Sequence, residues 1–293
     1  MNQTASLPAS YSIPVRHMDF NFDDDIPENW FGNDPFRTLL LSALSGTFPE
    51  GERFFVDSVR LFQDQVTDPE LRKAVRGFIG QEAHHAKEHG VLNAWLKRRG
   101  LPIHKIEAMV REGLGFMRQK LSSQRQLAMT CALEHFTAIM AELLLKNPEL
   151  LEQMDPRMRA LWIWHAIEES EHKAVAFDVY QATVKNYWVR VSQMAFNTLE
   201  FHFFISLHFL RLLKHTGYLY DVPMMARGLY ELYVSPGWFR KLVPAYLAYY
   251  HPSFHPWQRN NEAELNHWRE ELDRLLAANG QKPVKAQGVT QAK

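Results

Sequence analysis

The stretch His165-Ala166-Ile167-Glu168-Glu169-Ser170-Glu171-His172 decides how the rest of the chain is read. Glu169 and His172 stand three apart and His165 stands one turn earlier, so on a helix all three share a face. At about 100° per residue they fall within roughly 60° of arc. A second Glu-x-x-His pair lies upstream in Gln81-Glu82-Ala83-His84-His85. A single such pair fits a solvated helix face. Two pairs, each on its own helix, can each direct a carboxylate and an imidazole at one point.

Two further acids complete the pattern. Glu52 is followed at helical spacing by Phe55, Val56 and Val59, and Glu134 sits among Thr130, Cys131, Thr137, Ala138 and Ala141. The order along the chain is therefore Glu, Glu-x-x-His, Glu, Glu-x-x-His. A ferritin-like bundle uses this layout to hold two metal ions in its core. Two divalent ions a few ångströms apart repel, and anionic carboxylates that bridge them offset the repulsion. Imidazole adds a borderline donor suited to iron. The expected metal ligands are Glu52, Glu82, His85, Glu134, His165, Glu169 and His172. His89, four after His85, shares the inward stripe and reads as a supporting core histidine, with ligation the second reading. Glu168 borders the stripe and reads as a supporting acid. His84 and Glu171 point away from it, and His202 and His208 read as packing or pocket residues.

Helix signals place these residues. Asp68-Pro69-Glu70 and Asp155-Pro156 are helix starts with proline in the first turn. Gly100 followed by Pro102, and Asn147-Pro148, are stops. The expected helices are 36–65 with a break near 46–51, 68–99, 105–121, 122–146 and 155–185, then 188–215, 224–234, 238–250 and 259–278. No alternating β-branched run appears. The expected fold is all-α: a ferritin-like four-helix bundle with additional C-terminal helices from about residue 187, in one domain over 36–278. Residues 1–35 read as an extended arm pinned by Phe20, Phe22, Trp30 and Phe31. The polar residues 279–293 read as a disordered tail.

Composition excludes several classes. Lys plus Arg equals Asp plus Glu at 33 each, without the basic footprint of a nucleic-acid binder. The one cysteine, Cys131, allows no internal disulfide, and Met1–Ser12 lacks a charged start followed by an apolar run. A cytoplasmic location is expected. The apolar stretch 201–213 is interrupted by His202, His208 and Arg211 and is too short to span a bilayer. It reads first as a buried core helix, and second as a surface touching a membrane or a second copy of the chain. There is no Gly-rich phosphate loop, no Gly-x-Ser-x-Gly elbow and no flavin or nicotinamide motif.

The Gln-Glu-Ala-His-His, Ala-Leu-Glu-His-Phe and His-Ala-Ile-Glu-Glu-Ser-Glu-His segments resemble the bacterial family described as predicted metal-dependent hydrolases, a ferritin-like group, over roughly residues 14–275. The His-x-x-x-Glu-x-x-His run is similar to that of arylamine N-oxygenases, which use an additional histidine. The ligand set resembles that of di-iron oxygenases and oxidases. The expected function is therefore a non-haem di-iron oxidoreductase, with O2 as co-substrate and a fairly apolar organic substrate. The cofactor would be two iron ions, with manganese or a mixed Fe/Mn pair as the other loading. Electrons would come from a separate reductase. The alternatives are a di-metal hydrolase, as the family's description has it, and a metal-storage or metal-sensing bundle. Trp162, Trp164, Phe201, Phe203 and Phe204 mark an expected apolar pocket or partner face.

Overall fold

A computed structural model describes residues 13–280 of the 293-residue chain. The expected tail lies almost wholly outside the described residues. The helices are α1 (Pro35–Ser45), α2 (Phe48–Arg60), α3 (Pro69–Arg98), α4 (Ile103–Lys120), α5 (Ser123–Leu145), the single turn α6 (Pro148–Leu151), α7 (Pro156–His172), α8 (Val175–Thr183), α9 (Tyr187–Thr216), α10 (Val222–Tyr233), α11 (Trp238–Ala248) and α12 (Glu262–Ala278). No strand forms among the described residues, and the fold is all-α.

Local chemistry sets the helix starts. Asp34, Asp68, Ser122 and Asp155 each accept a first-turn backbone N–H through the side chain, which satisfies a donor the helix leaves unpaired. Pro35, Pro69 and Pro156 occupy first-turn positions where no N–H is needed. Gly100 follows α3 at φ +91°, a left-handed position that suits glycine. The helix expected over 155–185 is in fact two. It ends at His172, and α8 starts afresh at Val175.

Helices α2, α3, α5 and α7 enclose the site: α2 packs on α3 and α5, and α7 packs on α3 and α5. Leu92, Trp95 and Leu96 of α3 join one apolar cluster with Leu161, Trp164 and Ile167 of α7. Leu71, Val75 and Phe78 join another with Phe54, Phe55 and Val59 of α2 and Val175 and Val179 of α8. Gln81 to His89 of α3 and Glu168 to His172 of α7 lie in sequence between these two clusters. Helix α5 is the one helix among the described residues long and apolar enough to cross a membrane, and 67% of its apolar window is buried within the fold.

Residues 13–34, the described part of the expected arm, form no helix, and Phe20, Phe22, Trp30 and Phe31 are buried. It crosses α3 over two glycines. A Cβ on Gly77 would stand 2.7 Å from Ile13, and one on Gly80 would stand 2.5 Å from Val15. Glycine inside a helix costs about 1 kcal/mol relative to alanine. Here it lets the arm lie directly on the helix and delivers Arg16 to the interior. Helix α9 is only partly the core helix expected. His208, Phe209, Leu212 and Leu213 are buried, whereas Trp188, Leu199, Phe203 and Leu210 are exposed.

Candidate metal centre

Helix α2 brings Glu52 inward, α3 brings Glu82 and His85, α5 brings Glu134, and α7 brings His165, Glu169 and His172. All seven are buried, none more than 4% exposed. His172 Nε2 lies 3.0 Å from Glu82 Oε1, 3.4 Å from Glu134 Oε2 and 3.6 Å from Glu169 Oε2. His85 Nδ1 lies 3.5 Å from Glu169 Oε1. His165 Nε2 lies 2.9 Å from that same oxygen and 4.0 Å from Glu52 Oε1. The structure thus places all seven sequence-predicted side chains in one cluster.

The donor atoms are poorly satisfied by one another. Both carboxylate oxygens of Glu52, Glu82 and Glu134 are buried without a hydrogen-bond partner, as are Glu169 Oε2, His85 Nδ1 and His172 Nε2. Buried polar groups left this way cost free energy unless something pairs with them. Cations with open coordination positions are the natural partner for such a set. Four groups of three donors fall within 4.8 Å of one another: Glu52–Glu82–His85, Glu82–Glu169–His172, His85–His165–Glu169 and Glu52–His89–His165. Mixed carboxylate and imidazole donors suit zinc, iron or manganese.

The other ring nitrogens are held from behind. His85 Nε2 meets Glu168 Oε2 at 3.1 Å, and His172 Nδ1 meets Gln81 Oε1 at 2.9 Å. His165 Nδ1 meets His89 Nε2 at 2.5 Å, and His89 Nδ1 meets Ser45 Oγ at 2.9 Å. Such partners fix the tautomer and aim of a ligating imidazole. His89 and Glu168 therefore stand behind His165 and His85, although His89 also lies within reach of Glu52.

The sequence reading missed how these supports are joined. Glu171 is buried, and it faces away from the cluster as expected. It accepts Arg16 at 2.7 Å on each oxygen, Gln81 Nε2 at 3.0 Å and Arg269 Nε at 3.0 Å. Arg16 also donates to Glu168 Oε1 at 3.0 Å. One polar chain, His85–Glu168–Arg16–Glu171–Gln81–His172, thus runs behind both Glu-x-x-His pairs. The one available signal in the sequence was an acid beside a metal-binding face, which a buried site obliges to find a cation. His84 is half-buried and packs edge-on against His17, with ring centroids 4.3 Å apart.

Electrostatics follow from burial. Desolvation raises the carboxyls of Glu52, Glu82 and Glu134. Glu134 reaches about 8, helped by repulsion from Glu82. Burial pushes Glu169 the same way, but His172, His165 and His85 hold it well below the usual carboxylate range. Burial also disfavours a charged His85, yet contacts with Glu168 and Glu169 raise it to about 10. Desolvation lowers His165 to about 4, aided by repulsion from His85.

Two apolar cavities reach Glu169. An inner cavity of about 170 Å³ is walled by Phe48, Trp162, His165 and Glu169 together with α1, α5 and α10 residues. A second, of about 100 Å³, touches Glu52 and Glu169 and is closed by Phe55, Phe201 and Phe204. Trp162, Phe201 and Phe204 thus line cavities as expected. Trp164 instead meets His85 in a T-shaped contact, and Phe203 is exposed.

An all-α scaffold that converges buried carboxylates and imidazoles in this way defines a metal-binding helical protein. The chain belongs to the family described as predicted metal-dependent hydrolases, whose family model matches residues 14–260. No curated protein and no solved structure matches it.

Proposed function

We propose that the chain is a dinuclear-metal enzyme acting on an apolar organic substrate, and that its reaction is the hydrolysis named in its family's description. The observation that supports a pair of ions is the sharing of Glu82 between two donor groups, Glu52–Glu82–His85 and Glu82–Glu169–His172. Overlapping donor sets of this kind offer more ligands than one ion would take. Glu52, Glu82 and His85 would hold one ion. Glu134, Glu169 and His172 would hold the other, with His165 beside Glu169. Two ions so held would supply Lewis acidity toward an ester or phosphate and toward the attacking water. The chain's own residues do the rest. Glu168, Gln81 and His89 fix the imidazoles, and Phe48, Trp162 and Phe55 exclude bulk water around Glu169. The cavities present an apolar substrate to the Glu169 side of the cluster.

A second reading, O2-dependent oxidation by two iron ions or an iron–manganese pair, is favoured by the donor set itself. Four carboxylates beside borderline imidazoles suit iron, and apolar cavities on both sides of Glu169 would seat a hydrocarbon group. That reading requires electrons from a separate reductase. Metal storage or sensing leaves the cavities without a role.

The test loads the chain with zinc, manganese or iron and assays medium-chain p-nitrophenyl esters, a phosphate diester and, after anaerobic reduction, O2 consumption. Turnover of an ester or diester that is lost in Glu169→Ala supports hydrolysis. O2 consumption by the reduced iron form, coupled to oxidation of an apolar compound and without hydrolysis, overturns it in favour of the second reading.

A further inference from the structure

We infer that the cavity system beside Glu169 binds an anionic amphiphile, with its chain directed toward the carboxylate–histidine cluster and its head at Arg240. The direction of the chain rests on the metal-enzyme reading. The binding itself does not.

An outer cavity of about 540 Å³ lies between α9, α10, α11 and α1, within the size range of small-molecule sites. Phe36, Leu40, Leu44, Met140, Leu232 and Phe239 line both this cavity and the inner one. A continuous apolar wall therefore runs from the outer groove to His165 and Glu169. Phe201 lines the outer cavity and also the smaller cavity beyond Glu52, so the apolar lining extends past the cluster.

Charge decides the class of ligand. Arg240 is the one Lys, Arg, Asp or Glu among the residues lining the outer cavity. It is exposed, and among the described residues its side chain has no hydrogen bond or ion pair. The inner cavity also contains an arginine, Arg37, but Glu231 pairs with it at 2.7 Å. The uncompensated charge thus belongs to the outer cavity, and the cluster borders the inner one. The rim is shared by partly exposed apolar residues, Leu229, Tyr233 and Val243, which are 46%, 51% and 46% exposed. A ligand that matches this arrangement carries an anionic head and an apolar chain long enough to pass the shared wall. A neutral apolar molecule would leave Arg240 unused, and a compact anion would leave the wall unfilled.

The experiment titrates hexadecanoate and hexadecan-1-ol into the full chain by calorimetry below their aggregation limits. Wild type is compared with Arg240→Glu, Met140→Trp and Glu169→Ala. Hexadecanoate is expected to bind once per chain. Arg240→Glu, at an exposed position, should weaken hexadecanoate by about tenfold, the loss of one attractive and gain of one repulsive charge contact. It should leave hexadecan-1-ol nearly unchanged. Met140→Trp should weaken both by filling the shared wall. Glu169→Ala should keep hexadecanoate while losing metal. Absence of saturable binding, or an equal effect of Arg240→Glu on both probes, would overturn the inference. A chain that binds hexadecanoate but no metal overturns the metal-enzyme reading alone. One that binds two metals and neither probe overturns this inference alone.

Discussion

Arg16 and Glu171 meet through two parallel contacts, Nη1 to Oε2 and Nη2 to Oε1, each 2.7 Å long, across 155 residues of sequence. The forked geometry matches guanidinium to carboxylate and adds direction to attraction. Glu171 is held below the usual carboxylate range: burial pushes it up, but Arg16 and Arg269 outweigh that.

Arg16→Ala should therefore be costly. It leaves Glu168 buried with His85 as its remaining partner, and Glu171 with Arg269 and Gln81. Removing one member of a buried pair costs on the order of 3–5 kcal/mol, and the surviving Arg269 contact argues for the lower end. Urea unfolding of the variant should show a lowered midpoint, and its metal content should fall because both imidazole supports loosen. An unchanged midpoint with full metal content would count against the network.

Metal stoichiometry tests the centre directly. Elemental analysis of the loaded chain should give two ions, and Glu82→Ala or Glu169→Ala should remove most of both. A single ion that survives both substitutions would refute a dinuclear site.

The acid–base state of the cluster gives a signed pH dependence. The raised carboxyls of Glu52, Glu82 and Glu134 keep their protons in the metal-free protein to higher pH than free carboxyls do, Glu134 to about 8. A carboxyl whose pKa is raised on folding stabilises the metal-free fold at low pH. That contribution is lost as pH climbs through the raised value. Metal binding must displace these protons and those on His85 and His172, so affinity grows with pH. Metal that binds the folded state alone raises the melting temperature by linkage. The gap in Tm between metal-loaded and chelator-treated protein should be wider at pH 8 than at pH 6. A gap that narrows with pH would contradict this arrangement.

His165→Ala separates ligation from support. His165 Nε2 faces Glu169 while its Nδ1 rests on His89. If the ring binds metal, the variant should fold, keep much of its metal and show a changed optical spectrum when loaded with cobalt or iron. Ser45→Ala, one contact further back, should shift the same spectrum less. A lowered Tm with an unaltered spectrum would assign His165 to packing.

How much of this was legible from the sequence depends on the range of the interaction. Glu82/His85 and Glu169/His172 are spaced by the helix itself, so their shared faces could be read directly. The Asp-Pro pairs announced the starts of α3 and α7 in the same way. The end of α7 was not legible, because Lys173-Ala174 carries no glycine or proline to mark the break. The support network was hidden for a different reason. Arg16 reaches Glu171 only because Gly77 and Gly80 let the arm lie on α3, and a contact over that separation leaves no periodic trace. The half-exposed state of α9 likewise depends on which neighbours cover it, and its composition alone does not fix that.

Glu171 is gripped from both ends of the described chain, by Arg16 near the beginning and by Arg269 of α12, 98 residues further on. During synthesis Arg16 leaves the ribosome before either of its carboxylate partners, and Arg269 follows both. Domains generally fold as units, and this one cannot complete the second arginine contact to Glu171 until α12 is free. Until then Glu171 has Arg16 as its one guanidinium partner. A chain cut short before Arg269 would carry all four helices of the cluster with one of the two arginine contacts to Glu171 missing.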